Sequence, residues 1–218
     1  MDTEIYVKTY DAPKINKKEI LRYMGAKELS KEIDEILSEC LEEINNQISY
    51  KVCYSFFEIS LKENYVDLGF FKVFSKDLSK NLRNCKKGII FAATIGVGID
   101  RLIIKYSKTS PLKALMFQAI GAERIESLCN VFNNEINKNN YTVPRFSAGY
   151  GDLPIEFQKE IFKVLTPEKK IGLTLNESLV MSPSKSVTAV IGISDLPCEK
   201  KEGCSMCANK NCLFRREK

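Results

Sequence analysis

The chain has 218 residues, 44% of them hydrophobic and 28% charged, with a net charge of +5. That size suits one large domain with at most a small appendage, and no apolar run reaches the ~20 residues of a membrane span. Lysines and glutamates alternate without a basic block, which argues against nucleic acid, and the N-terminus lacks an apolar secretory core, so a cytoplasmic protein whose cysteines are thiols or metal ligands is expected.

Asn16 is placed to cap a short helix that Gly25 ends. A clearer helix follows Ser30, because Ile33, Ile36, Leu37, Cys40, Leu41 and Ile44 form one apolar stripe. Residues 49–61 and 65–74 are rich in β-branched and aromatic types and flank Lys62-Glu63-Asn64, which predicts an antiparallel hairpin. Ser75 caps a short helix, and Gly88–Gly96 reads as a buried strand. A helix is expected over Ile99–Tyr106. A long one is expected from Pro111 to Asn139-Asn140.

The segment Tyr141–Asp152 has the composition of an ordered loop. Pro154 opens an amphipathic helix, Ile171–Leu175 reads as a strand, and Val187–Ile193 is the last strand. From Leu196 onward apolar residues give way to cysteine and lysine. The expected organisation is therefore a domain over 1–195 and a Cys-rich tail over 196–218. Helices and strands mix without βαβ alternation, which makes the fold class α+β. Neither glycine-rich nucleotide motif is present.

The chain contains no histidine, which removes Ser-His and Cys-His nucleophile pairs and the commonest zinc ligand. In the tail, Cys198, Cys204, Cys207 and Cys212 have spacings that can close a four-thiolate site, as a [4Fe-4S] cluster or zinc. Cys40, Cys53, Cys85 and Cys129 lie in apolar patterns and are expected in the core.

Arg145-Phe-Ser-Ala-Gly-Tyr150 is followed by a helix and then by the block Ile171-Gly-Leu-Thr-Leu-Asn-Glu177-Ser178-Leu-Val-Met181-Ser-Pro183-Ser-Lys-Ser186-Val187. This resembles the activation domain of cobalamin-dependent methionine synthase, with its Arg-Pro-x-Pro-Gly-Tyr and Ile-Gly-Met-x-Leu-Thr-Glu-Ser-x-x-Met-x-Pro-x-x-Ser-Val patterns. Glu19-Ile-Leu-Arg22-Tyr23-Met-Gly25 is similar to the opening of free-standing members. The resemblance spans about residues 15–193. It implies a twisted antiparallel or mixed sheet flanked by helices, with the short Cys-rich tail appended.

The resemblance also implies S-adenosylmethionine as ligand and a role in reductive methylation of inactive cob(II)alamin, with flavodoxin or a ferredoxin-type protein as electron donor. It makes Arg145 the carboxylate clamp, Ser147, Ala148 and Gly149 the backbone loop, Tyr150 the motif tyrosine and Glu126 an acidic contact. The chemistry of those residue types agrees. A guanidinium takes a carboxylate in two parallel hydrogen bonds, a carboxylate takes an ammonium, and transfer from a sulfonium needs positioning rather than an acid or base.

Without histidine the cobalamin is expected on a partner, a cobalamin-dependent methionine synthase or another corrinoid protein. Phe146 and Ala148 replace the family's prolines, and Asn176 replaces its threonine. The family's last ligand segment gives way here to Asp195 and the tail. A non-catalytic docking or redox module working through the cysteines is the alternative expectation.

Overall fold

The computed structural model describes residues 4–26, 28, 30–194 and 196–197. It opens with β1 (Tyr6–Tyr10), α1 (Lys17–Met24), α2 (Lys31–Glu43) and β2 (Tyr50–Glu58). Three short strands follow, β3 (Ser60–Leu61), β4 (Val66–Asp67) and β5 (Lys72–Val73), then α3 (Lys76–Asn81) and β6 (Cys85–Thr94). Next come α4 (Gly98–Tyr106), α5 (Pro111–Ile136), β7 (Tyr141–Thr142), α6 (Phe157–Leu165) and α7 (Pro167–Ile171). The hairpin β8 (Thr174–Leu175) and β9 (Met181–Ser182) leads into β10 (Ser186–Ser194).

The main sheet has the order β1-β2-β6-β10-β7, and all its pairings are antiparallel. Alternation along its central strands feeds two cores. Ile89, Phe91 and Ala93 face one side, with Val52, Ala189 and Ile191, under residues of α1, α2, α4 and α5. Ile90 and Ala92 face the other side, with Cys53 and Val190, under residues of α3, α6 and α7. Because both faces are covered, residues 88–95 read as one apolar run rather than an alternating one. This is the expected α+β architecture of a sheet flanked by helices.

The caps at Asn16, Ser30 and Ser75 and the left-handed stop at Gly25 form as expected. Cys40, Cys53, Cys85 and Cys129 are buried thiols. The tail residues Cys198, Cys204, Cys207 and Cys212 lie outside the described residues. Among the described residues no group of acidic or thiol side chains is arranged to hold a metal ion, and no helix is long and apolar enough to cross a membrane.

Four expectations are corrected. The hairpin of 49–61 with 65–74 forms only at its tip, where β3 pairs antiparallel with β4 across the Lys62–Tyr65 turn; β2 itself pairs β1 and β6. The second segment breaks because Asp67 accepts the Gly69 amide at 2.9 Å and Leu68 bonds back to Phe71. Residues 171–175 are a strand only at their end, since Ile171 closes α7 and Gly172 terminates it with φ 73°. Regular α-helix begins at Phe157 rather than Pro154, after i→i+3 bonds from Phe157 to Pro154 and from Gln158 to Ile155. α5 stops at Ile136, before the two asparagines.

One ion pair ties the first helix to the longest one. Glu123 and Arg124 of α5 are each 2% exposed at the side chain. Arg124 donates Nε to Glu123 Oε2 at 2.5 Å and Nη2 to Oε1 at 2.7 Å. Its remaining donors reach the backbone oxygens of Pro13 and Lys14 at 2.5 and 2.9 Å. Glu123 in turn accepts the Asn16 amide at 3.1 Å and the Ser127 hydroxyl at 2.7 Å. Burial lowers the Arg124 pKa, but Glu123 outweighs it and the net shift is upward.

Removing one partner of such a pair strands a buried charge. Arg124→Leu is expected to lose about 3–5 kcal/mol in urea unfolding. Replacing Glu123 with leucine as well should recover part of that loss, and a double variant no more stable than the single one would refute this account.

Candidate functional site

Helix α5 is apolar over much of its surface, but Glu123, Glu126, Ser127 and Asn130 stand at i, i+3, i+4 and i+7. That spacing puts them on one face. Opposite them, α1 presents Asn16, Glu19 and Tyr23, and the seven residues enclose a cleft of about 270 Å³. Glu123 is the floor and already satisfied. Glu19 pairs with Arg22 at 2.7 Å, and the Arg22 guanidinium stacks on Tyr23 at 4.1 Å. Glu126 is paired with a residue of a distant loop.

That partner is Arg145. The segment carrying it is strapped to β10, with Val143 N–H bonded to Gly192 at 3.0 Å and Phe146 exchanging two bonds with Val190 at 2.9 Å. From this strap the guanidinium reaches over to α5. Nη2 donates to Glu126 Oε2 at 2.9 Å and Nη1 to Asn130 Oδ1 at 3.0 Å. The Arg145 side chain is 19% exposed and that of Glu126 37%. The structure therefore brings Arg145 and Glu126 together, where the sequence suggested two separate ligand contacts.

Ser147–Tyr150 is a tight turn, closed by Tyr150 N–H to Ser147 O at 3.1 Å. Gly149 has φ +84°, where a side chain is strained, and its amide bonds Leu153 O at 2.9 Å. Ala148 turns its methyl into the core, so what it can offer a ligand is backbone. Ser147 is half-buried. Tyr150 is 58% exposed, and its ring meets Phe146 edge-on at 6.2 Å. Its phenol pKa is raised, first by burial and then by the Glu126 carboxylate, with Arg145 opposing. The Tyr23 phenol is raised too, by burial and then Glu126. Glu126 thus sits in electrostatic contact with tyrosines from two directions.

The rest of the loop is held by Asp152. It accepts the Ser75 hydroxyl and the amides of Lys76 at 2.7 Å and Asp77 at 3.1 Å, so it caps α3 rather than meeting a ligand. Glu177 lies exposed in the β8–β9 turn and caps no helix. The sequence reading did not single out Asn16, Glu19, Tyr23, Ser127 or Asn130 as site residues. The polar stripe interrupting the apolar α5 was the available signal.

These features define the class: an α+β domain whose long helix and first helix line a small polar cleft, with a sheet-strapped loop that brings Arg145 onto Glu126 and Asn130 of its wall. The chain belongs to the family described as vitamin B12 dependent methionine synthase, activation domain, whose model matches residues 78–195. A solved structure titled as the MetH reactivation domain bound to AdoHcy has the same fold, with a TM-score of 0.62 at 14% identity. The alignment covers 90% of this chain and 81% of that one. No curated protein matches the chain.

The Ser75 hydroxyl, followed by the backbone amides, holds the Asp152 carboxyl below its ordinary pKa. Its contribution to stability is complete above the unfolded value, about 4, and is lost as the pH falls through the lower folded value. Asp152→Asn is expected to remove that part of the acid destabilisation, read as a shallower fall of the urea midpoint below about pH 4. An unchanged acid limb would show that the capping carboxylate contributes nothing there.

Proposed function

We propose that this chain is a reactivation partner for a cobalamin-dependent methionine synthase or a related corrinoid methyltransferase. It binds S-adenosylmethionine in the α1–α5 cleft and presents it to cobalamin held by another chain. The observation that carries this reading is the Arg145–Glu126 pair at the cleft wall, set in a domain of this family. When bound, the ligand supplies a methyl group on a sulfonium, which the reduced cobalt of the partner takes by direct displacement.

The residues present fit such a ligand. The Arg145 fork matches a carboxylate, and Glu126 matches the adjoining ammonium. The Ser147–Gly149 backbone lies beside them for the ribose and adenine, and Tyr150 stands at the rim. No residue of the site is asked to move a proton. The contribution of the protein is orientation and exclusion of water. The MetH reactivation domain named above is bound to AdoHcy, the species left when S-adenosylmethionine gives up its methyl group, which favours the same assignment here.

The electron for the partner's cobalt comes on this reading from a flavodoxin or ferredoxin-type donor. Cys198, Cys204, Cys207 and Cys212 would add a [4Fe-4S] or zinc site in a tail that follows the 1–195 domain. The support for that site is their spacing. Metal analysis and the visible absorption of anaerobically purified protein test it. Colourless, metal-free protein would remove the tail from this account.

Calorimetric titration with S-adenosylmethionine is expected to show binding, and Arg145→Ala to weaken it at least about 30-fold, the loss typical of removing one member of a charge pair. Folded wild-type protein that gives no heat would overturn the proposal.

A further inference from the structure

We propose that the open edge of the main sheet, strand β1, is a self-association site, at which a second copy of this chain pairs antiparallel about a two-fold axis at Val7. This pairing is independent of the ligand cleft, which lies between α1 and α5.

The main sheet ends in two unlike edges. At one, β7 is only two residues long, and the segment after it continues onto β10 through Val143 and Phe146, so much of that edge is taken. At the other, β1 pairs with β2 over five residues without a bulge, and no strand lies outside it. Natural sheets protect such an edge with proline, a bulge or a charged side chain. β1 has no proline. Its one charge, Lys8, is committed elsewhere: the ammonium bonds Glu135 of α5 and lies over the Tyr10 ring.

Antiparallel strands bond at alternate residues, so the register fixes which groups of β1 face outward. Val190 gives both its backbone groups to Phe146, which leaves Ala189 and Ile191 to bond Phe91 and Ile89 of β6. Carried across β6 and β2, the alternation assigns the backbone groups of Tyr6, Lys8 and Tyr10 to β2. Val7 and Thr9 point their N–H and C=O groups out of the sheet. Neither meets a backbone partner there among the described residues.

The side chains select a second copy as occupant and also its register. Centred on Val7, the pairing sets Val7 against itself and Ile5 against Thr9 of the second copy. Val7 is 48% exposed without such a partner. On the opposite face, Tyr6 meets Lys8 of the second copy, and Glu4 lies diagonal to that lysine, both within cross-strand reach. Tyr6 is already oriented by its stack on Tyr54 at 5.2 Å and its edge contact with Phe56 at 6.0 Å. A register centred on Lys8 would instead set two like charges opposite each other, which is unfavourable. The edge thus complements itself, with an apolar residue on the axis and a cation facing an aromatic ring and a carboxylate on either side. Because the two-fold axis uses the β1 edge of both copies, association closes at a dimer.

Sedimentation of the full chain, with reductant present to prevent cysteine cross-links, is expected to show a monomer–dimer equilibrium in the micromolar range and nothing larger. Val7→Pro removes an outward N–H while leaving the bonds to β2 in place. Val7→Lys sets two charges across the axis. Each is expected to raise the dissociation constant at least about tenfold. Ile104→Lys, at an apolar residue of α4 that is 73% exposed, is expected to leave it unchanged. In hydrogen exchange read by nuclear magnetic resonance, the Thr9 amide should be protected in the dimer and lose that protection on dilution and in Val7→Lys. The Lys8 and Tyr10 amides should stay protected throughout.

The urea midpoint of Val7→Lys is expected to match that of wild-type monomer, so this variant decides the matter even if proline at the same position impairs folding. Wild-type protein that stays monomeric through the high micromolar range would overturn the proposal. So would assemblies larger than a dimer, a dimer that Val7→Lys leaves undiminished, or an equal loss in Ile104→Lys.

Discussion

The buried pair of Glu123 and Arg124 is the constraint on which the site depends. Neighbouring side chains on a helix diverge by about 100°, so this pair forms only because Arg124 folds back along α5 and engages Glu123 with two nitrogens. Two charges in the interior are tolerable when every donor and acceptor is used. Here the surplus donors hold the backbone of Pro13 and Lys14, and the surplus acceptor holds Asn16. The pair is therefore less a source of stability than a fastener. It fixes where the chain enters α1, hence where Glu19 and Tyr23 stand, and so the width of the cleft that Glu126 faces.

The Arg145 loop that meets Glu126 is set by the sheet. β10 is a long central strand buried on both faces, and it carries the Arg145 strap along part of its length through Phe146, Val143 and the short β7. Arginine has many rotamers, and holding one in place is normally an entropic cost. Anchoring its backbone on both sides to a rigid strand, then engaging both ends of its fork on α5, restricts that freedom before any ligand arrives. The hydrophobic layering of the sheet and the orientation of one polar group are in this way a single piece of structure.

Much of the fold was legible where the signal is local. The caps at Asn16, Ser30 and Ser75, the stripe of α2 and the apolar run of β6 each depend on a few neighbouring residues. β1 was not legible. Its Tyr-Val-Lys-Thr-Tyr pattern is brief, and its partner β2 lies some forty residues on. The hairpin that forms only over Ser60–Leu61 and Val66–Asp67 is cut short by a turn: strand composition over 65–74 is real, but an Asx turn at Asp67 decides that the segment curls into a small separate sheet. At the site, the Arg145 loop was legible from its motif and Glu126 from its place on α5. Their direct bond, and the contribution of α1 to the cleft, arise from packing between elements distant in sequence, which a linear pattern does not encode.

The described cysteines have a consequence for the chemistry of the whole chain. Burial raises the Cys40 thiol to about 11 and those of Cys53 and Cys129 to about 12. A group near 12 is ionised in roughly one molecule in a hundred thousand at neutral pH. Since the thiolate is the form that attacks disulfides and binds soft metals, these three sulfurs are chemically silent in the native state. The domain can therefore sit beside oxidants, electron carriers and metal ions without its core becoming a competing reactant. A labelling reagent added to folded protein would meet little reactivity from them, so thiol chemistry detected under those conditions would have to be sought at other cysteines.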